Sequence, residues 1–217
     1  MTYEKIMDYY KFKGGLNMPN WCTTRITINN DNQEELVEFN KLLDKWMETN
    51  YMESDFGLDW LGNIVGNSGI GTVDTGKETD LSCRGRVTDK ELYENQLIIY
   101  TETAWQPMLK MWDKLLEKYL PEAELIYEAE ECGCGLYCTN DPVMRNKYYI
   151  DCWGINDICL NSDCEAIERD VIDILQGLLK TKETDINKLM EMLRESEYAS
   201  EIAIYKWEFV ETTEWYE

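Results

Sequence analysis

Thr23-Thr24-Arg25-Ile26-Thr27-Ile28-Asn29 alternates, with Thr24, Ile26 and Ile28 on one face and Arg25, Thr27 and Asn29 on the other. Period two over this stretch predicts a half-buried strand. Directly after it, Asp31 or Asn32 supplies a helix N-cap, with Glu34 and Glu35 near the positive end of the helix dipole. Leu36, Phe39, Leu42, Leu43 and Trp46 then recur at three- and four-residue steps, the apolar stripe of an amphipathic helix.

The pattern continues outward. Residues 49–80 lose all period and are rich in glycine, which predicts a long loop with at most a short helix near 59–64. Strands are expected at 81–88 and 96–105, joined through 89–95. Pro107 suits the first turn of a second helix, whose stripe is Met108, Met111, Trp112, Leu115, Leu116 and Tyr119 and whose end is set by Pro121. A strand at 123–130 follows, with Leu125, Tyr127 and Ala129 on one face. The order βαββαβ predicts an α+β fold of the ferredoxin-like kind, an antiparallel sheet with both helices on one face.

Three segments are expected: an N-terminal extension at 1–17, a ferredoxin-like core at 18–140, and a C-terminal α+β extension at 141–217 packed on the core. Strand-like stretches at 136–139 and 147–154 lead to helices at 163–180 and 184–196, then a last strand at 201–212. Ile167, Val171, Ile174, Leu175, Leu178 and Leu179 mark the inner face of the first of these helices.

Composition narrows the function. Of 217 residues, 44% are hydrophobic, and 8 Trp with 14 Tyr are too many for a chain that never packs. No apolar run reaches the roughly 18 residues that span a bilayer. With 43 acidic against 21 basic residues the net charge is −22, the wrong sign for direct binding to a phosphate backbone. The absence of histidine excludes Ser-His-Asp and Cys-His nucleophile pairs, His-ligated zinc and imidazole acid–base chemistry within this chain.

The first residues have no apolar leader, so the 8 cysteines read as reduced thiols of a cytoplasmic protein. Cys132, Cys134, Cys138 and Cys152 are candidate metal ligands by type. Their spacing departs from paired Cys-x2-4-Cys knuckles, so no cofactor is expected and metal binding stays open. Residues 127–138 hold Glu128, Glu130 and Glu131 without Lys or Arg, a field that opposes thiolate formation and makes these thiols read as inert. Gly62 through Gly76 lacks the helix start and the well-placed lysine of a phosphate loop and reads as flexible connection.

Met18-Pro19-Asn20-Trp21-Cys22-Thr23 resembles the opening of the YubB-type ferredoxin-like family, Met-Pro-Asn-Trp-Cys followed by a polar residue and a strand. Thr103-Ala104-Trp105-Gln106-Pro107 is similar to that family's strand-to-helix junction. The likeness runs on through Leu120-Pro121 to Glu131-x-Gly133-x-Gly135, covering about 18–140. The family's Trp-Gly-x-Lys-Trp-Asp loop is replaced here by Gly62 to Gly71 without its lysine or tryptophan. What the resemblance implies is a ferredoxin-like fold, no established activity, and frequent occurrence on plasmids, phages and other mobile elements.

The charge itself then carries the functional expectation. Glu124, Glu128 and Glu130 should point away from Leu125 and Tyr127, and alternate strand residues stand about 6.6–7 Å apart. That repeat is similar in order of magnitude to successive phosphates of one nucleic-acid strand. With Glu131 beside the row and Glu34, Glu35 and Glu38 on the first helix, these carboxylates are the expected contact residues for a basic protein partner. The expectation is a non-enzymatic acidic binding protein of a mobile element, in its sharper form a nucleic-acid mimic that inhibits a host defence nuclease. The alternatives are an assembly subunit that forms homo-oligomers through sheet edges, and a carboxylate- and metal-dependent enzyme.

Overall fold

The computed structural model describes residues 20–52, 56–73, 81–152 and 163–215. The expected extension at 1–17 and Cys159 lie outside the described residues. The described residues fall into two compact units, one of residues up to 140 together with those from 210 onward, the other of residues 141–209.

In the first unit the strand predicted at 23–29 is β1, Trp21–Asn29. It is followed by α1, Gln33–Met47, whose N-cap is Asn32; the Asn32 side chain accepts from the Glu35 backbone N–H. Leu36, Phe39, Leu43 and Trp46 are buried, as the stripe requires. Next come β2, Gly85–Leu92, and β3, Gln96–Ala104, then the helix Leu109–Tyr119 and β4, Glu124–Glu131. Pro107 stands two residues ahead of that helix rather than in its first turn, with Met108 at the N-cap.

The glycine-rich stretch contains a helix, α2, Leu61–Ser68, which makes Leu109–Tyr119 the third, α3. Gly62 lies against the Trp60 ring and Gly66 against the Tyr51 ring, so close that a Cβ at either would collide. These glycines leave room for the two aromatic rings, while Leu61, Ile64 and Val65 supply the buried apolar face. Gly69, at φ 67, ends the helix in the left-handed conformation that glycine adopts without cost.

The sheet is antiparallel and has six strands in the order β2-β3-β1-β4-β5-β9, where β5 is Leu136–Thr139 and β9 the two-residue Glu208–Phe209. The coarser expectation holds: this is a mixed α+β architecture. Two strands, β5 and β9, lie beyond the four of the βαββαβ order. Across β1 the register pairs Ile26 with Ile99 and Tyr127, and Thr24 with Thr101 and Ala129. Ile26, Ile28, Leu97, Ile99, Leu125 and Tyr127 join the inner faces of α1 and α3 in one buried core that includes Trp112. Residues 212–215 form a single 3-10 turn, and Trp215 packs on that core.

The second unit has its own sheet, in the order β7-β6-β8, from β6 Lys147–Cys152, β7 Asp163–Ile167 and β8 Ile202–Lys206. Its helices are α4, Glu168–Leu179, and α5, Ile186–Arg194. Tyr148, Ile150, Val171, Leu175, Leu189 and Ile204 form its core. The helix expected from 163 begins instead at Glu168. Residues 163–167 pair with β6, and Ile167, assigned to the helix inner face, is 50% exposed. No described helix is long and apolar enough to cross a membrane.

Candidate functional site

Both ends of the six-stranded sheet gather functional groups, and they differ in kind. At the end where β1 stops and β3 and β4 start, three connections converge: 29–35, 91–96 and 121–124. The register fixes this, because Asn29 pairs with Gln96 on one side and with Glu124 on the other. A side-chain ladder crosses all three strands: Gln96 Nε2 donates to Asn29 Oδ1 at 3.0 Å and Asn29 Nδ2 to Glu124 Oε2 at 3.5 Å.

These connections carry Asp31, Glu34, Glu35, Glu91, Glu94, Glu122 and Glu124, all exposed, and their sequence contains no Lys or Arg. Two of the acids have fixed structural tasks. The Glu35 carboxylate accepts from Asn32 Nδ2 at 2.8 Å and from Asn30 Nδ2 at 3.4 Å, closing the start of α1. Glu91 accepts from the Tyr93 hydroxyl at 2.5 Å, a bond that pushes the Tyr93 phenol pKa up. Among the acids, Leu92 and Tyr93 are exposed large side chains at 39% and 51%. The nearby Lys90 turns inward, its Nζ 2.6 Å from Asn40 Oδ1 and 2.7 Å from Asp44 Oδ1.

The expected contact residues therefore separate. Glu34, Glu35 and Glu124 come together at this end, and Glu38 lies further along α1, paired with Lys41 at 2.7 Å. Glu128 stands on the face opposite Leu125 and Tyr127 but is held by Arg25 at 3.1 Å, so the carboxylate row is interrupted by a cation. Glu102, on the same face, is likewise paired with Arg86 at 2.7 Å. Glu130 is half-buried two residues further along, and Glu131 departs from the row altogether. It is 3% exposed and shares the inward side with Leu125, Tyr127 and Ala129, because β4 alternation places odd positions inward. Asp31, Glu91, Glu94 and Glu122 were missed in the sequence because the topology, not their spacing, assembles them.

At the other end of the sheet lie the residues of the three resembling motifs: Asn20–Cys22, Thr103–Gln106 and Glu131–Gly135. The Asn20 carbonyl accepts from the Trp105 N–H at 3.0 Å, and Trp105 sits at φ 76, a left-handed conformation unusual for a bulky residue. Thr103 Oγ1 donates to the Gln106 carbonyl at 2.8 Å and to the Cys22 carbonyl at 3.3 Å. Cys22 is buried, and burial pushes its thiol up to about 12. It is an inert core thiol.

The Glu131 carboxylate accepts from the Gly133 N–H at 2.7 Å and from the Cys134 N–H at 2.9 Å, and the Cys134 Sγ also contacts it. Gly133 lies so close to the Asn20 amide and the Glu131 carboxylate that a Cβ there would crowd both. The Tyr137 hydroxyl lies 3.3 Å from Cys132 Sγ. Cys132 is exposed, Cys134 half-buried and Cys138 buried. Among the described residues, no three Cys, Asp or Glu side chains are placed to hold one metal ion. Compared with protein-family models, curated proteins and solved structures, the chain matches none.

Proposed function

We propose that this is a non-enzymatic binding protein that presents the acidic end of its sheet to a cationic surface of a partner protein. We read residues 20–140 as a ferredoxin-like core and, with the YubB-type resemblance, as a product of a mobile element acting in the cytoplasm. One observation carries the reading: the connections 29–35, 91–96 and 121–124 hold seven exposed carboxylates and no Lys or Arg in their sequence, with Leu92 and Tyr93 exposed among them. A negative rim speeds encounter with a basic partner. An exposed aromatic at its centre supplies the apolar contact from which interfaces draw most of their affinity.

The sharper form is mimicry of a nucleic acid, which would occupy the basic channel of a host defence nuclease. The interrupted row on β4 moves the expected contact from Glu128 and Glu130 to Glu34, Glu35, Glu91, Glu94 and Glu124. A homo-oligomer built by sheet-edge pairing is less favoured. The β2 edge carries Arg86, Asp89, Lys90 and Glu91 and is interrupted by a register shift between Val87 and Asp89, features that block edge-to-edge addition.

The test is affinity capture of host proteins at low and high salt, with wild type beside a variant carrying Glu91→Lys, Glu94→Lys and Glu124→Lys. Basic proteins retained by wild type at low salt and lost with the variant support the reading. Equal capture by both, with no salt dependence, ends it.

A further inference from the structure

Cys132, Gly133, Cys134 and Gly135 form a turn closed by the Gly135 N–H on the Cys132 carbonyl at 3.4 Å. The two thiols differ in the way an exchanging pair requires. Cys132 is exposed, and the Tyr137 hydroxyl donates to its sulfur. Cys134 is half-buried, and its thiol contacts the Glu131 carboxylate, itself almost fully buried and oriented by two backbone N–H groups. Two Cα atoms separated by one residue are at most about 7 Å apart along the chain and closer within a turn, inside the range that a disulfide bridges.

We propose that Cys132 and Cys134 are a dithiol that exchanges with low-molecular-weight or peptide disulfides, with Glu131 as the proton acceptor for Cys134. The Cys132 thiolate attacks one sulfur of the substrate disulfide, and the other sulfur leaves as a thiolate and takes a proton from solvent. A mixed disulfide on Cys132 results. The Cys134 thiol gives its proton to the Glu131 carboxylate and its thiolate attacks Cys132 Sγ, expelling the second substrate thiol, which takes up that proton. The protein is oxidised to a Cys132–Cys134 disulfide and the substrate is reduced to its thiols. This reverses the expectation of inert thiols at these positions. The local acids oppose a thiolate by their field, but the carboxylate in contact with the resolving thiol can serve as its base. The activity stands apart from the acidic end of the sheet.

The full-length reduced protein is treated with a substoichiometric amount of dithiodipyridine, and the modified cysteines are mapped by mass spectrometry over time. Wild type is expected to lose both halves of the probe and yield the Cys132–Cys134 disulfide. Cys134→Ser is expected to stop at the mixed disulfide on Cys132, and Cys132→Ser to lose the fast reaction. Glu131→Gln is expected to close the ring roughly a hundredfold more slowly, with a rate that now rises with pH. Should Glu131→Gln fail to fold, Glu131→Asp tests the same contact: ring closure slowed by the shorter carboxylate supports it, and closure at the wild-type rate removes Glu131 from the mechanism. The proposal is overturned if the probe reacts first at Cys152 or another thiol, or if wild type keeps the mixed disulfide as long as Cys134→Ser does. Closure by Glu131→Gln at the wild-type rate and pH dependence removes Glu131 from the mechanism.

Discussion

The indole Nε1–H of Trp215 donates to the Tyr127 hydroxyl at 2.8 Å, and that hydroxyl donates onward to the Val210 carbonyl at 2.8 Å. Tyr127 lies at the centre of the first unit's core, and burial holds its phenol far above the ordinary tyrosine range. The C-terminal segment is thus tied to the middle of β4 by one side-chain oxygen. Tyr127→Phe keeps the ring but leaves the Trp215 N–H and the Val210 carbonyl without their partner. The expected cost is about 1–3 kcal/mol in urea unfolding, with increased proteolysis after residue 209. A change within error would show that the segment is held by packing alone.

Trp105 gives a second, sign-sensitive expectation. At φ 76 an L-residue with a Cβ is strained by about 1–2 kcal/mol, and glycine is not. Trp105→Gly should therefore be more stable than Trp105→Ala, the reverse of the usual order in ordered segments. Thermal unfolding of the two variants decides it, since both lose the same indole packing.

Cys22 predicts behaviour at high pH. Its thiol is raised by burial from an ordinary value of 9.0 to about 12, so above pH 9 the unfolded chain releases a proton that the folded chain retains. The stability this contributes is complete below pH 9 and is lost as pH rises toward 12, with a limiting slope of about 1.4 kcal/mol per pH unit. Other groups titrate in the same window, so the measurement is the difference between wild type and Cys22→Ala. The variant should be less stable at pH 7 because it leaves a small cavity, and the gap should narrow between pH 9 and 12. A gap of constant width would place the titration elsewhere.

The acidic end predicts a salt effect that Glu128 should not share. Replacing Glu91, Glu94 and Glu124 with Gln removes mutual repulsion at an exposed site. This should raise the low-salt melting temperature slightly, by the equivalent of a few tenths of a kcal/mol, and do nothing at high salt. Glu128→Gln removes the partner of Arg25 and should lower stability by about 0–1 kcal/mol. Melting curves across a salt series separate the two.

Much of this architecture could be read from residue order because local and tertiary demands coincide. Alternation at 23–29 and 123–130, and the stripes through Leu36 to Trp46 and Met111 to Leu116, appear as expected strands and helices. Reading failed where one signal imitated another. Ile167 stands four residues before Val171, so it extended the helical stripe backwards, although Glu165, Ala166 and Ile167 alternate as a strand. The helix at 61–68 overlaps the short one expected near 59–64 and runs on to Ser68, its stripe of Leu61, Ile64 and Val65 being brief and set among glycines that face aromatic rings. The candidate sites were legible only in part. Glu34, Glu35 and Glu124 were found by charge, but no spacing rule links them to Glu91, Glu94 or Glu122, which only the strand order brings near. Glu131, expected among the contact acids, faces inward because alternation along β4 puts the odd-numbered positions on the buried side.

The Val210 N–H donates to the Thr139 carbonyl at 2.9 Å, so the chain leaves the first unit and re-enters it at neighbouring points. The residues from 141 to 207 thereby lie between two adjacent anchor points, with a three-stranded sheet and an apolar centre of their own, and β9 at 208–209 belongs to the six-stranded sheet. Such an arrangement permits excision: a short glycine bridge from Asn140 to Glu208 would spare β9 and the hydrogen bonds of Tyr127 with Val210 and Trp215.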